Sequence, residues 1–509
     1  MQVRLNHFVT GIVVLVTSFG FSQTGLGPVV HSVPFAHHRL GNPATVISAD
    51  FKLRAVVNGS VPLENPAGVI TNFGFLSTGT LTEPDENTYL VFDSNPRGPT
   101  SGYDYGRHFV FQGHENSGNL AYITRVNLDV SDPAHRVTLL TPPDPTTGLT
   151  NFNSIDGSTY DPFTNTLLFT QEAGSNGGVI QVTPSWPPAV NTLYGVIGRG
   201  GFEGMHPDDQ GNLLIIEDSG GTSVTVDPND PNSPKVPKQP NSFVYRFLPK
   251  DPTNLLLGGK LQALRVTINE TPIVFNPNDP AGDTFAPAQL ALHTPGTSYP
   301  ADWVTVHDTD VDGTASFNAN AAAKAAGATP FKRPENAQFL PGSGFLTFFF
   351  DPTGDTDARA GTPALSARGS WGSIFRVDLN QDRNSGMISI FVLGDADHAS
   401  FDNLTFSDDH TLLAAEDRGD TLHAQLNTLD SVWAFATDNS AGPRRFVALG
   451  RDQLSVNIGE DNEPTGLHVS TGGTSISDLP GTWNNLNSPR AFLTRQHGDN
   501  QLWEIVPSH

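Results

Sequence analysis

Residues 401–436 read FDNLTFSDDHTLLAAEDRGDTLHAQLNTLDSVWAFA, and they hold the pattern that decides the fold. Short apolar runs (LTF, TLLAA, SVWAFA) are separated by turn-forming Ser, Asp, Asn and Gly clusters. Runs of this length, rich in Leu, Val, Phe and Thr, read as antiparallel strands. An acid, Asp402, opens the first run, and a second, Asp417, closes the next, fifteen residues further on. An up strand of about five or six residues, a turn and a similar down strand bring such a pair back to one end of a hairpin.

The same unit recurs outward from this stretch. Two-strand copies start at His108, Asn165, Asn212, Phe345, Thr411 and Ala491, six in all. Five are preceded by a short element with its own acid: NSIDGSTYDP, GFEGMHPDDQGN, RPENAQFLPGSG, FDNLTFSDDHT and NEPTGLHVSTGG. The acids pair as Asp156 with Glu172, Glu203 with Asp218, Glu335 with Asp351 and Asp402 with Asp417, at separations of sixteen or fifteen. Six units of this kind predict an all-β, six-bladed β-propeller with loop and short-helix insertions around a central channel. One channel mouth is then expected to carry Asp156, Glu203, Glu335, Asp402 and Glu463, with the second-strand acids just outside. A single such acid is ordinarily a turn residue; the same chemistry at the same phase in five repeats points to a shared site.

The chain has 509 residues, with Gly 50, Pro 40 and no Cys, and Lys+Arg 28 against Asp+Glu 52 give a net charge of -24. That charge repels phosphate backbones and anionic lipid, so nucleic acid is not an expected partner. Without cysteine there is neither a disulfide framework nor a thiolate ligand. Arg4 followed by the apolar run Phe8 to Phe21 reads as a secretory signal over 1–22, so the protein is expected in the periplasm or outside the cell. A single propeller domain is expected over 23–509, monomeric and free of the membrane after signal cleavage. A strand from around Val46 to Val57 or Val69 to Leu81 should complete the last blade and leave no open edge. Insertions are expected near 227–241 and 302–332, the second with a short helix in the alanine-rich stretch Asn318 to Thr329; either could lid the site.

Carboxylates converging from several strands suit hard cations, calcium first. Clustered without cations, they would raise one another's pKa and cost stability. His114 and Glu115 in GHEN, and His497 in RQHGDN, would add ligands suited to a transition metal if they face the same mouth. HDTDVDG, His307 to Gly313, starts like a calcium loop, but Ala319 stands where the closing Glu belongs, and it reads as a solvated turn. The chain has no Gly-x-Ser-x-Gly elbow, phosphate-cradling Gly-Lys-Ser/Thr loop or paired CxxC. Metal-assisted hydrolysis of an anionic substrate remains, with Arg333 beside Glu335 placed to clamp an oxyanion or to pair with a rim acid.

GHEN at His114, GFEG at Glu203 followed by IEDSGG, RPEN at Arg333 and FDNLTFSDDHTLLAAED from Phe401 together resemble the PhoX-type alkaline phosphatase family. The resemblance implies a six-bladed propeller and a phosphomonoesterase with an iron and calcium cluster at the channel mouth. It implies Glu115, Glu203, Asp218, Glu335 and Asp402 as metal ligands, Arg333 as the nearby cation, and a small-molecule phosphate ester as substrate. Two features of that family are absent, the cysteine on iron and the twin-arginine signal. Calcium is therefore the expected cofactor, and iron or another transition metal the one in question. A non-catalytic calcium-binding propeller and a calcium-dependent lactonase or esterase are the alternatives, since a fold does not fix a function.

Overall fold

A computed structural model describes residues 24–454 and 462–508; the expected signal over 1–22 lies outside them. The fold is all-β and propeller-like. Six strands lie nearest the axis: β1 (Glu83–Val91), β2 (Ile155–Asp161), β3 (Phe202–Pro207), β4 (Pro334–Phe339), β5 (Phe401–Phe406) and β6 (Pro464–Ser470). They touch in a closed cycle, each against the next and β6 against β1. From each, the chain zigzags outward through antiparallel neighbours; behind β5, for instance, lie Thr411–Glu416, Ser431–Ala436 and Arg444–Ala448.

Hydrogen bonding divides these strands differently from the six separate blades expected. The strands behind β1, β2, β5 and β6 form four separate sheets of four or five strands, whereas β3 and β4 are the two ends of one ten-stranded sheet. The join lies within the expected 302–332 insertion and just before it. Ser298–Asp308, an eleven-residue strand, pairs on one side with Gly259–Ile268 and on the other with Ser385–Leu393. An exposed strand edge is a template for pairing, and this strand satisfies two such edges at once. The rest of that segment includes the short helix Ala319–Ala325, capped by the Asn318 side chain, while 227–241 forms part of a hairpin of Ser223–Thr225 with Lys235–Lys238.

Two pieces of the N-terminal region become edge strands: Val46–Ile47 extends the β5 sheet, and Phe51–Val57 pairs with Gln501–Pro507 at the outside of the β6 sheet. Apolar side chains fill the wedges between neighbouring sheets. Leu168, Phe202, Ile215 and Tyr245 pack between the β2 and β3 sheets, and Phe349, Phe401, Leu412 and Trp433 between the β4 and β5 sheets. Each fully buried side chain of this size contributes about 1.5–3 kcal/mol.

The inner strands share one irregularity, which places the site. Every one breaks register with its partner near the same end: at Asp85/Glu86, Asp156/Gly157, Glu203/Gly204, Glu335, Asp402/Asn403 and Gly466/Leu467. A β-bulge kinks a strand and re-aims a side chain. Gly157 and Gly204 allow the inner strands to approach: a Cβ on the first would collide with the Glu203 carbonyl, and one on the second would lie 2.5 Å from Asn336 Oδ1.

Candidate metal centre

The bulges turn acids toward one mouth of the channel. Among the described residues, nine carboxylates, from Asp85, Glu115, Asp156, Glu172, Glu203, Glu335, Asp402, Asp417 and Glu463, surround a cavity of about 80 Å³ with Arg333 as its one cation. Oxygens of Asp85, Glu115 and Asp156 lie within 4.8 Å of one another, as do those of Asp156, Glu172 and Glu203. Asp156 and Glu203 hydrogen-bond each other across neighbouring strands, and so do Asp402 and Glu463. A carboxyl pair bonds this way only by sharing a proton.

Burial, and then mutual repulsion, force these groups toward the neutral form. Asp85 is pushed up to about 7 and Glu172 to about 8, in each case first by burial and then by neighbouring acids. Glu115, Asp156, Glu203, Glu335 and Asp402 are held well above the usual carboxylate range for the same reasons. Arg333 takes the left-handed conformation, φ 52°. Its Nε donates to Asp218 Oδ2 at 2.8 Å, and its Nη2 lies 3.4 Å from Glu335 Oε1. Burial would lower the guanidinium, but Asp218, Glu335 and Asp417 hold it well above its ordinary value.

The second-strand acids are braced from behind. Asp417 stands between Glu416 and Arg418, a fully buried ion pair at 2.6 Å. Asp218 follows Glu217, which accepts hydrogen bonds from Tyr245 Oη at 2.9 Å and from Asn320 Nδ2 at 3.0 Å. Asn320 lies on the insertion helix, so this helix braces Glu217, next to Asp218, which pairs with Arg333 outside the cavity lining.

Several residues stand elsewhere than the repeat arithmetic put them. Asp351 lies one step inward, opposite Asn336, whose N–H donates to its Oδ1 at 2.9 Å. His114 is buried between Tyr122 and Phe73, its Nε2 2.9 Å from Thr124 Oγ1, and does not line the mouth. His497 also stands outside the lining, with Nδ1 3.6 Å from Glu83 Oε1. In the 307–313 segment, Lys250 and Lys260 pair with Asp310 and Asp308 at 2.6 and 3.1 Å, as a turn does.

Two carboxylates on β1 escape the sequence reading, Asp85 and Glu86. The signal was there: PDEN followed by TYLVF repeats the acid-then-strand pattern of RPEN and FDN. Glu86 lies next to Asp85 but outside the cavity lining. It accepts the Ser158 N–H at 2.7 Å and an N–H of Asn336 from the far side of the ring, and burial raises it to about 8.

The donor set suits a hard cation: it is all carboxylate oxygen, with no thiol anywhere in the chain. Asp218 Oδ1 and Asp351 Oδ2 are buried with no hydrogen-bond donor among the described residues. Buried acceptors of this kind are ordinarily satisfied, and a cation satisfies them.

The family model described as Alkaline phosphatase PhoX matches residues 223–439. Over those residues the chain is PhoX-like. Of the mouth lining, that stretch holds Arg333, Glu335, Asp402 and Asp417. No curated protein matches the chain. Among solved structures it is similar to a gluconolactonase from Xanthomonas campestris, with 10% identity over 95% of this chain and 99% of that one, and a TM-score of 0.40. It is also similar to TolB from Acinetobacter baumannii, with 9% identity over 84% of this chain and a TM-score of 0.31. The chain spans 64% of the length of that TolB. Among the described residues, no helix is long and apolar enough to cross a membrane.

Proposed function

We propose that this protein is an exported, metal-dependent phosphoric ester hydrolase. Its two sheet ends at β3 and β4 count as two blades, which makes a six-bladed propeller. The observation that carries the reading is the mouth itself: among the described residues, nine carboxylates, six buried and three half-buried, around one arginine, an arrangement that cations stabilise. Asp85, Glu115, Asp156, Glu172 and Glu203 would hold cations on one side of the mouth, and Glu335, Asp402, Asp417 and Glu463 on the other, calcium being the expected ion. Hard cations bound there supply charge to polarise a phosphoryl oxygen and to acidify a bound water.

The chain's own residues supply the rest. Arg333 is fixed by Asp218 and Glu335, so its guanidinium stays charged and oriented as a phosphate oxygen arrives. Glu86 and Asn336 meet across the ring of inner strands. The fit favours a small anionic ester over a polymer. The test is release of phosphate from simple monoesters by protein loaded with calcium, alone and together with iron, zinc or manganese, beside a panel of lactones. Chelator-sensitive phosphate release supports the reading; lactone turnover without phosphate release replaces it with an esterase, and neither activity leaves a calcium-bound binding propeller.

A further inference from the structure

Acids mark the first turns of the inner strands, so segments leaving the far ends of β1, β2 and β6 lie on the opposite face. There an open cleft of about 530 Å³ is lined by Phe92 to Arg97, Tyr160, Asn165, Pro184 to Trp186 and Thr474. This is the size of a small-ligand site. An adjoining cavity of about 610 Å³ with apolar walls, including Leu149 and Phe152, shares Trp186.

The walls of the first cavity are built rather than left as loose loop. Arg125 is fully buried, and among the described residues it has no carboxylate within ion-pair distance. Its Nη1 donates to Pro184 O at 3.1 Å and its Nη2 to Arg97 O at 2.6 Å, and its guanidinium lies 4.9 Å from the centre of the Phe109 ring. A buried unpaired charge is costly, and here it ties together the two loops that face each other across the cavity. Two further bonds fix the same loops: Trp186 N–H donates to Pro96 O at 3.0 Å, and Arg97 N–H to Asn95 Oδ1 at 2.9 Å.

Inside this frame the polar groups are unspent. The hydroxyls of Ser94, Ser185 and Thr474, the Asn165 amide N–H groups and the Arg97 guanidinium make no hydrogen bond or ion pair with any described residue. Trp186 is half-buried and contributes to the linings of both cavities. An aromatic face ringed by hydroxyl and amide groups suits a pyranose, whose C–H face is apolar and whose rim is hydroxyl. The unpaired arginine, in a chain of net charge -24, adds a preference for an anion. The cavity's carboxylate, Asp93, lies 3.5 Å from Arg107, which offsets it.

We propose that this cleft binds a saccharide bearing an anionic group, with a sugar ring on Trp186 and its anion on Arg97. The site is separate from the acid mouth and needs no cation. Titration calorimetry of the full chain with trigalacturonate, and with galactotriose as its neutral counterpart, tests this at physiological salt. Saturable trigalacturonate binding is expected, weakened at least about tenfold, ~1.4 kcal/mol, by Trp186→Ala and by Arg97→Gln and in the neutral sugar. Arg97→Gln replaces an unpaired surface side chain and keeps the fold, so its result stands even if Trp186→Ala fails to fold. No saturable binding, equal affinity for the neutral sugar, or binding that Arg97→Gln leaves unchanged overturns the proposal. Because carboxylated sugars also bind calcium, binding that disappears on chelation but survives both substitutions would place the sugar at the mouth and overturn it as well.

Discussion

Stripping cations from the mouth should invert the protein's response to pH. In the unfolded chain Asp85 and Glu172 titrate near 3.8 and 4.5; in the fold they are pushed up to about 7 and about 8. Between those limits the folded state holds more protons than the unfolded one, so the stability of the metal-free protein falls as pH rises through the window. Each group contributes about 1.4 kcal/mol per pH unit. From pH 5 to 8 that amounts to ~3 kcal/mol for Asp85 and ~4 kcal/mol for Glu172, with repulsion between them keeping the pair below the plain sum. At ~2 cal/mol/K of unfolding entropy per residue, a chain of this length loses roughly 1 °C per kcal/mol, hence a fall of roughly 4 to 7 °C. Calcium at about a hundred times its Kd adds back ~2.7 kcal/mol at pH 8, and little at pH 5, where protons compete for the same oxygens. Scanning calorimetry at pH 5, 6.5 and 8, in calcium and in chelator, reads both slopes. A chelated midpoint that stays level or rises with pH, or curves that coincide at pH 8, would refute the reasoning.

Arg333→Met should leave bound metal unchanged and lower phosphate-ester turnover by about a hundredfold or more, as loss of one oriented charge donor typically does; stopped-flow assay beside metal analysis separates the two. Glu86→Ala leaves the Ser158 N–H and the Asn336 amide without an acceptor. Urea denaturation should show a loss of about 1–3 kcal/mol per orphaned group. Gly204→Ala puts a methyl 2.5 Å from Asn336 Oδ1 and should lower the thermal midpoint and the metal content together. His497→Ala, whose ring stands outside the mouth lining, should change neither metal content nor turnover.

The repeat in residues 401–436 made the strands and the phase of the rim acids legible, because period-two alternation and acid spacing are local properties of the chain. Asp156, Glu203, Glu335, Asp402 and Glu463 all line the cavity. What the spacing could not carry was register. Asp351 keeps the sixteen-residue separation from Glu335, yet the bulge at Glu335 leaves Asp351 opposite Asn336, one step inside. Asp85 and Glu86 stand beside Pro84 with three acids within four residues, a composition that disfavours a strand, while the ring of neighbouring strands makes Glu83–Val91 an inner strand. His114 and His497 carry ligand chemistry in the sequence, but their side chains pack against Tyr122 and Phe73, or stand beside Glu83. The join of the β3 and β4 sheets depends on Ser298–Asp308 meeting two distant partners, which no local pattern announces.

Metal content per chain, read by inductively coupled plasma mass spectrometry on the purified protein and on an Asp156→Asn/Glu203→Gln variant, tests the central claim most directly. The account predicts stoichiometric calcium in the native chain and its loss, in part or whole, in the variant, with the fold retained. A native chain free of metal after calcium loading, or a variant that holds as much as the native chain, would contradict it.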